Sequence, residues 1–306
     1  MIREFKAEPK GLLQVGRLLE EYVLRRGVCS MSGSIYDTAW VSMVSKPVEG
    51  KQVWLFPASF KCICEAQAES GGWEGGDAID EIVNTFACLL SMKRHEKVDS
   101  AEVSELAEKI DMATKFLIER LSQWDISATE RVAFEILIPS MLDLLEREGI
   151  QFNFPDLEGL RKLNQEKMGK INLAALYKYP STILHSLESF IGTIDFDKMA
   201  VHLRDGSMMA SPSSTAAYLM HVSNWDQNAE QYLHEAVENG KRIADGMVTN
   251  VFPISTFEFA WVIVPSILTD PSQPAISSKM GLMLIPYTVT KSAQYSLSIS
   301  RREGDS

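Results

Sequence analysis

Apolar residues recur at helical spacing along most of this 306-residue chain, and this pattern restricts the fold more than any other feature. In residues 12–26, LLQVGRLLEEYVLRR, they fall three or four positions apart and therefore share one helical face. No sustained strand alternation precedes residue 280. We therefore expect an all-α fold of stacked antiparallel helices. The same pattern predicts helices over residues 56–69, 78–95, 101–124, 130–147, 156–168, 181–191, 195–203, 212–221, 228–240 and 255–268.

Residues at the predicted helix ends support this interpretation. Pro57 suits a first helical turn, and Gly71-Gly72 stops the helix that Pro57 begins. Asp77 is a candidate N-cap for the next helix, which ends in the basic run 93–95 that complements a helix C-terminus. Glycine turns between helices, near residues 71–76 and 203–211, are typical of an α/α barrel. From residue 266 to 306 the composition becomes rich in serine, which predicts an irregular C-terminal tail.

Charge and hydropathy exclude several functions. The net charge of −11 disfavours nucleic-acid binding, because phosphate backbones repel an acidic surface that has no basic patch. The apolar run from Trp261 to Leu268 is broken by Pro265 and is far shorter than the ~20 residues of a membrane span. The opening MIREFKAEPK has no apolar core of a secretory signal. We expect a soluble, cytoplasmic protein.

Four cysteines raise the question of a metal site. Cys62, Cys64 and Cys88 could bind zinc together with His95, but their spacing matches no common set of zinc ligands. The alternative is that these three thiols and Cys29 are reduced and mostly buried, as is usual inside cells. The spacing favours the buried thiols.

Two further groups have a structural and a functional interpretation. Asp77, Asp80 and Glu81 share one helical face and could hold a divalent cation, although first-turn carboxylates more often cap a helix and complement its dipole. His185 lies in the otherwise apolar segment YPSTILHSLESF, which is compatible with a hydrogen-bonded core histidine or with a partly buried site. Lys167, taken alone, is a solvated helix lysine.

Several separated strings together resemble the labdane-type diterpene cyclases. The strings cover roughly residues 8–268 and follow the order of the motifs in that family. Their amino-acid sequences are most similar to those of the fungal bifunctional copalyl diphosphate/ent-kaurene synthases. The strings are SIYDTAW, the block from WLFPASF to SMKRH with its Gln-x-x-x-Gly-x-Trp turn, YPSTILHSLESF, DGSMMASPSSTAAYLM and NVFPISTFEFAWVI.

The resemblance implies a domain organisation and a reaction. Family members hold a class II site between two α/α-barrel domains, β and γ, where an aspartic acid protonates geranylgeranyl diphosphate to start cyclisation to a copalyl-type diphosphate. Such an acid must be kept neutral, and the carbocation needs a dry cavity. By resemblance, residues 1–33 contain the first β-domain helix, residues 34–265 form the γ domain, and residues 266–306 lie outside the family.

Three positions carry over from the family one by one. His185 matches a histidine that holds the water acting as terminal base, and Asn250 matches the asparagine that pairs with it. Lys167 matches a lysine that contacts the substrate diphosphate. The family's acidic motif, which assists Mg²⁺ binding, should fall near residues 127–131, where Glu130 is its only remaining carboxylate and Asp125 lies close by.

The sequence also departs from the family. It contains no Asp-x-Asp-Asp general-acid motif and no Asp-Asp-x-x-Asp metal motif. We therefore expect a truncated cyclase that is inactive alone, with doubtful magnesium assistance. The alternatives are a γ-domain partner of a separately encoded β/α chain, or a non-catalytic module that binds prenyl diphosphates.

Overall fold

The fold is built around a short buried helix, α1 (Ile35–Ser42), in a computed structural model that describes residues 31–97, 103–130 and 132–254. The Ser34 hydroxyl caps this helix by accepting a hydrogen bond from the Asp37 amide at 3.2 Å. All six residues from Asp37 to Ser42 are buried, so the helix has no polar face. Because helical periodicity depends on a contrast between faces, the sequence pattern does not indicate this helix.

A β-hairpin, which the sequence pattern did not predict, follows α1. Strands β1 (Ser45–Val48) and β2 (Lys51–Trp54) pair antiparallel. Glu49 and Gly50 form the two-residue turn, with φ values of 51° and 79°. Each strand has only four residues, which is too short for alternation to stand out from the surrounding helical pattern.

The remaining described residues are mostly helical, which confirms the predicted all-α class. Helices predicted over 12–26 and 255–268 lie outside the described residues, as does the predicted tail. The observed helices are α2 (Pro57–Glu65), α3 (Ala78–Glu96), α4 (Val103–Gln123), α5 (Phe134–Arg147), α6 (Leu157–Met168), the short α7 (Leu173–Leu176), α8 (Pro212–His221) and α9 (Gln227–Gly240).

Two predicted α-helices are 3₁₀ helices instead. The first 3₁₀ segment is Thr182–Phe190 and the second is Phe196–His202. The first contains a kink at Ser186, whose φ of −133° and ψ of 40° are not helical. Apolar spacing of three or four residues fits both helix types, so the pattern cannot separate them.

Several predicted helix ends agree with the structure, but α2 ends at Glu65, with Ala66 as its C-cap, and not at the predicted stop at Gly71-Gly72. Pro57 occupies the first turn of α2. The Asp77 carboxylate accepts hydrogen bonds from the amides of Ile79 and Asp80 at 3.0 and 2.9 Å, which confirms it as the N-cap of α3. The basic run 93–95 lies in the last turn of α3.

The core forms where α1 packs against α2, α3 and α8, while α3 also packs against α4 and α5. His95 joins several of these elements. Its imidazole is stacked between the rings of Trp54 and Phe60, with centroid separations of 3.8 and 3.6 Å, and its Nε2 lies 2.9 Å from the Ser42 carbonyl oxygen. The buried imidazole of His95, on α3, therefore contacts the hairpin, α1 and α2.

Two segments that are far apart in the sequence meet beside α1. Gly33 pairs with Thr249 in an isolated antiparallel bridge, and the Ser34 amide donates to the Val248 carbonyl at 2.8 Å. The Thr38 hydroxyl accepts a hydrogen bond from the Val248 amide at 3.1 Å. The described residues up to Pro253 belong to one compact unit. The boundaries expected from the sequence, after residues 33 and 265, remain predictions.

Among the described residues, no helix is both long enough and apolar enough to cross a membrane.

Gly71 offers a test of how tightly α4 is packed. We expect Gly71→Ala to lower the free energy of unfolding by at least ~3 kcal/mol, because a Cβ there would lie 2.4 Å from the Met112 carbonyl oxygen. Gly149→Ala is the matched control, since Gly149 has a similar φ of +87° but open space around it. The control should cost only the ~1–2 kcal/mol of a left-handed residue. Equal losses in urea unfolding would contradict the close contact.

Candidate functional site

His185 lies in the first 3₁₀ segment, immediately before the kink at Ser186. Its neighbours Leu184 and Leu187 are fully buried, whereas His185 itself is partly exposed. The backbone carbonyl of His185 accepts a hydrogen bond from the Ser211 hydroxyl at 3.3 Å. The buried leucines and this bond fix the backbone at His185, while the residue itself stays partly exposed.

The turn before α8 holds two distant segments at adjacent residues. Met209 and Ala210 both have left-handed backbones, with φ values of 51° and 57°, which is uncommon for residues with side chains. The Ala210 carbonyl accepts from the Phe252 amide at 2.8 Å, while the next residue, Ser211, donates to His185. This turn therefore brings the segment of His185 and the segment that contains Asn250 to the same region.

Asn250 itself is exposed, although its segment is firmly held. Thr249 and Phe252 are each 2% exposed, and the Tyr232 hydroxyl donates to the Phe252 carbonyl at 2.7 Å. Within the described part of the chain, no hydrogen bond joins the side chains of His185 and Asn250. The fold thus brings their segments together but does not pair the two side chains directly.

Two buried carboxylates lie behind His185. Asp37 accepts hydrogen bonds from the Ser34 hydroxyl at 2.6 Å and the Ser213 amide at 3.1 Å. Glu188 accepts from the Tyr36 hydroxyl at 3.0 Å through one oxygen. Its other oxygen accepts from the Ser214 hydroxyl at 2.9 Å, and Ser214 in turn accepts from the Leu187 amide. We call Tyr36, Asp37, Glu188, Ser213 and Ser214 the buried polar cluster.

Burial dominates the electrostatics of this cluster. It raises the pKa of Glu188 to about 7, and the negative charge of Asp37 adds to the increase, while hydrogen bonds from Ser214 and Tyr36 oppose it. Burial also raises the pKa of Asp37, against hydrogen bonds from Ser34 and Ser213 and the attraction of the nearby His185 imidazole. The cluster can therefore hold a proton close to neutral pH, next to the histidine.

Lys167 lies in the last turn of α6. Its ammonium nitrogen is 2.8 Å from Oε1 of Glu135, which is in the first turn of α5. The hydrogen bond and the charge of Glu135 raise the pKa of Lys167. No described contact joins Lys167 to His185 or Asn250. The structure therefore gives Lys167 a carboxylate partner that the sequence analysis did not predict.

The residues near Glu130 do not fit a magnesium site. Glu130 is exposed, and Oδ1 of Asp125 is already occupied by the Ser127 amide and hydroxyl and by the Ala128 amide. These bonds lower the pKa of Asp125, with the Ser127 hydroxyl as the largest cause. Across residues 31–97, 103–130 and 132–254, no group of three or more His, Cys, Asp or Glu side chains could hold a metal ion.

The residues considered as zinc ligands make other contacts or are buried as thiols. His95 is stacked between two rings, as described above, and Cys62 and Cys88 are buried free thiols. Burial raises the pKa of Cys88 well above its usual value, which disfavours the thiolate that a metal requires. In the acidic group at the start of α3, Glu81 pairs with Arg120 at 3.1 Å.

The buried polar cluster and Glu135 are the residues whose roles the sequence did not reveal. A signal was present, because Asp37, Glu188 and Glu135 are carboxylates within otherwise apolar strings. A buried carboxylate must find donors or a cation, so each of these positions implies a partner. The sequence does not identify that partner, since Asp37 and Ser213 are 176 residues apart.

Comparison with known proteins gives close relatives over part of their length. The chain is 44% identical to phyllocladan-16-α-ol synthase of Phomopsis amygdali over 252 residues, which cover 80% of this chain and 25% of the relative. It is 42% identical to copalyl diphosphate synthase of Talaromyces verruculosus over 254 residues, covering 81% and 26%. The chain thus spans about a quarter of the length of these relatives. No family model matches it.

A solved structure agrees with the fold. The chain resembles ent-copalyl diphosphate synthase from Arabidopsis thaliana with a TM-score of 0.66 and 25% sequence identity, over 92% of this chain and 39% of the plant enzyme. That enzyme was solved in complex with (S)-15-aza-14,15-dihydrogeranylgeranyl thiolodiphosphate. The helical architecture described above is therefore shared with a plant cyclase of low sequence identity.

The raised pKa of Glu188 predicts that stability depends on pH. A carboxyl group with a folded-state pKa of about 7, against an ordinary 4.5, favours folding when it is protonated. This stabilisation is complete below pH 4.5 and is lost as the pH rises towards 7, for a total of ~3 kcal/mol. Glu188→Gln should remove this part of the decrease in urea unfolding between pH 4.5 and 7, leaving the contribution of Asp37, whose pKa burial also raises.

Glu119→Gln is the matched control, because Glu119 is exposed on α4 and should leave the pH profile unchanged. A Glu188→Gln profile identical to that of the unmodified chain would refute the assignment.

Proposed function

We propose that this chain, which is a homologue of the fungal diterpene cyclases and corresponds to about a quarter of their length, supplies one wall of a class II cyclisation site. The substrate would be geranylgeranyl diphosphate, and the product a copalyl-type diphosphate. The observation that carries the proposal is the turn at Ala210 and Ser211, whose adjacent backbone and hydroxyl groups hold the segments of His185 and Asn250.

The proposed role of this wall is to accept a proton rather than to donate one. Cyclisation begins when an acid protonates the terminal alkene and ends when a proton leaves the cyclised cation. The 306 residues contain no Asp-x-Asp-Asp motif, so the acid would come from outside this sequence. His185 and Asn250 would hold the water that takes the final proton.

Two residues that hold a basic water molecule need rigid backbone support. His185 has buried leucines on both sides and a hydrogen-bonded carbonyl, and Asn250 lies between the buried residues Thr249 and Phe252. Both side chains retain exposure, which leaves them accessible to a substrate or a water molecule. Backbones supported by these buried neighbours keep the geometry that proton transfer needs, even though His185 and Asn250 come from distant segments.

Lys167 would contact the diphosphate of the substrate. Its side chain is 49% exposed, and a lysine ammonium has three donors, of which Glu135 uses one. Magnesium has no part in this proposal, because the carboxylates near Glu130 do not fit a metal site.

The chain by itself should form no copalyl-type diphosphate from geranylgeranyl diphosphate. Loss of a general acid alone costs ~10²–10⁴ in rate, and the acid-bearing wall would also be missing. Product analysis of the purified chain tests this expectation, with a bacterial extract lacking the protein as the blank. Cyclised product above the blank would contradict it.

A chimera tests the role of His185. In it, residues 34–254 of this chain replace the matching segment of the Talaromyces verruculosus copalyl diphosphate synthase. If the chimera forms cyclised diphosphate, His185→Ala should lower its rate at least ~10²-fold, because the water that takes the final proton is no longer held in place. His234→Ala is the control, because His234 is an exposed histidine on α9.

The outcomes separate the alternatives. Equal rates for His185→Ala and the control would refute the proposed base. If the chain restores cyclisation only when it is co-expressed as a separate polypeptide with the remaining part of the relative, it acts as a partner chain. Saturable binding of prenyl diphosphates without activity in either format would favour a non-catalytic binding module.

A further inference from the structure

We propose that Glu135 is an intramolecular competitor for the diphosphate at Lys167, and that it weakens and so tunes the capture of this anion. The inference rests on the proposed function of Lys167, but it concerns a residue with no role in that proposal. Glu135 would occupy the lysine ammonium in the ligand-free chain, and an incoming diphosphate would have to displace or share it.

The geometry of the pair is fixed by two helices. Glu135 lies in the first turn of α5 and Lys167 in the last turn of α6, and these helices pack against each other. The Asn164 side-chain amide, one turn before Lys167, donates to the Glu135 carbonyl at 2.8 Å. This bond fixes the register of the two helices, so that the lysine ammonium reaches Oε1 of Glu135 at 2.8 Å.

The two partners differ sharply in exposure. The side chain of Lys167 is 49% exposed, whereas that of Glu135 is 10% exposed. Oε2 of Glu135 is buried and has no hydrogen-bond partner among the described residues. The carboxylate is therefore held below the surface with only half of its acceptor capacity used, and the ammonium stands between it and the solvent.

A carboxylate in this position adds little to the free energy of unfolding. A half-exposed ion pair contributes little, and a buried oxygen without a donor carries a desolvation cost. An apolar or neutral residue of similar volume would avoid that cost. What the carboxylate does provide is negative charge directly behind the exposed ammonium, and this charge opposes the binding of any anion to the lysine.

Calorimetric titration with inorganic pyrophosphate at low ionic strength tests the proposal on the full chain. We expect Glu135→Gln to bind pyrophosphate about fivefold more tightly than the unmodified chain, because the amide keeps the shape and removes the charge. Lys167→Ala should abolish saturable binding, and adding Glu135→Gln to it should restore none. Glu166→Gln, a neighbouring exposed carboxylate on α6, is the matched control and should have a smaller effect.

Each outcome has a separate meaning. If Lys167→Ala removes binding but Glu135→Gln does not strengthen it, the competitor role is wrong while the proposed diphosphate contact stands. If Lys167→Ala binds as well as the unmodified chain, or if neither the unmodified chain nor Glu135→Gln binds, the diphosphate contact itself is refuted. Urea unfolding distinguishes a structural role, because a merely structural ion pair would make Glu135→Gln less stable without changing its affinity for pyrophosphate.

Discussion

The rest of the structure depends on the need to satisfy two carboxylates that are buried in the core. Asp37 and Glu188 are 4% and 2% exposed, and an unpartnered carboxylate at such depth would cost several kcal/mol. Their donors come from the residue before α1, from α1 itself and from α8. Satisfying these two groups therefore fixes how α1, the first 3₁₀ segment and α8 lie relative to one another.

This requirement connects the recognisable strings of the sequence. Tyr36 and Asp37 belong to SIYDTAW, Glu188 to YPSTILHSLESF, and the serines that contact them to ASPSSTAAYLM. The strings are far apart along the chain but meet in one polar cluster. His185, which is proposed to hold the basic water, lies three residues before Glu188, so the buried polar cluster supports the segment that carries it.

Sequence reasoning recovered the elements whose two faces differ in polarity. The amphipathic helices and the Asp77 cap follow from local spacing, whereas α1 is buried all round and therefore carries no periodic signal. The same distinction between local pattern and tertiary packing applies to the candidate site. The identities of His185, Asn250 and Lys167 came from a resemblance, but the ion pair of Lys167 with Glu135 depends on the packing of α5 on α6, which no local pattern encodes.

The bridge between Gly33 and Thr249 has a consequence for how such a unit can be combined with others. Because Gly33 and Thr249 are hydrogen-bonded neighbours, the intervening segment has its two ends side by side, and a loop of another protein could accommodate such a segment without stretching. The entropy cost of closing the host loop is then small and nearly independent of the number of residues inserted. The two connections of this segment to the rest of the chain therefore lie side by side.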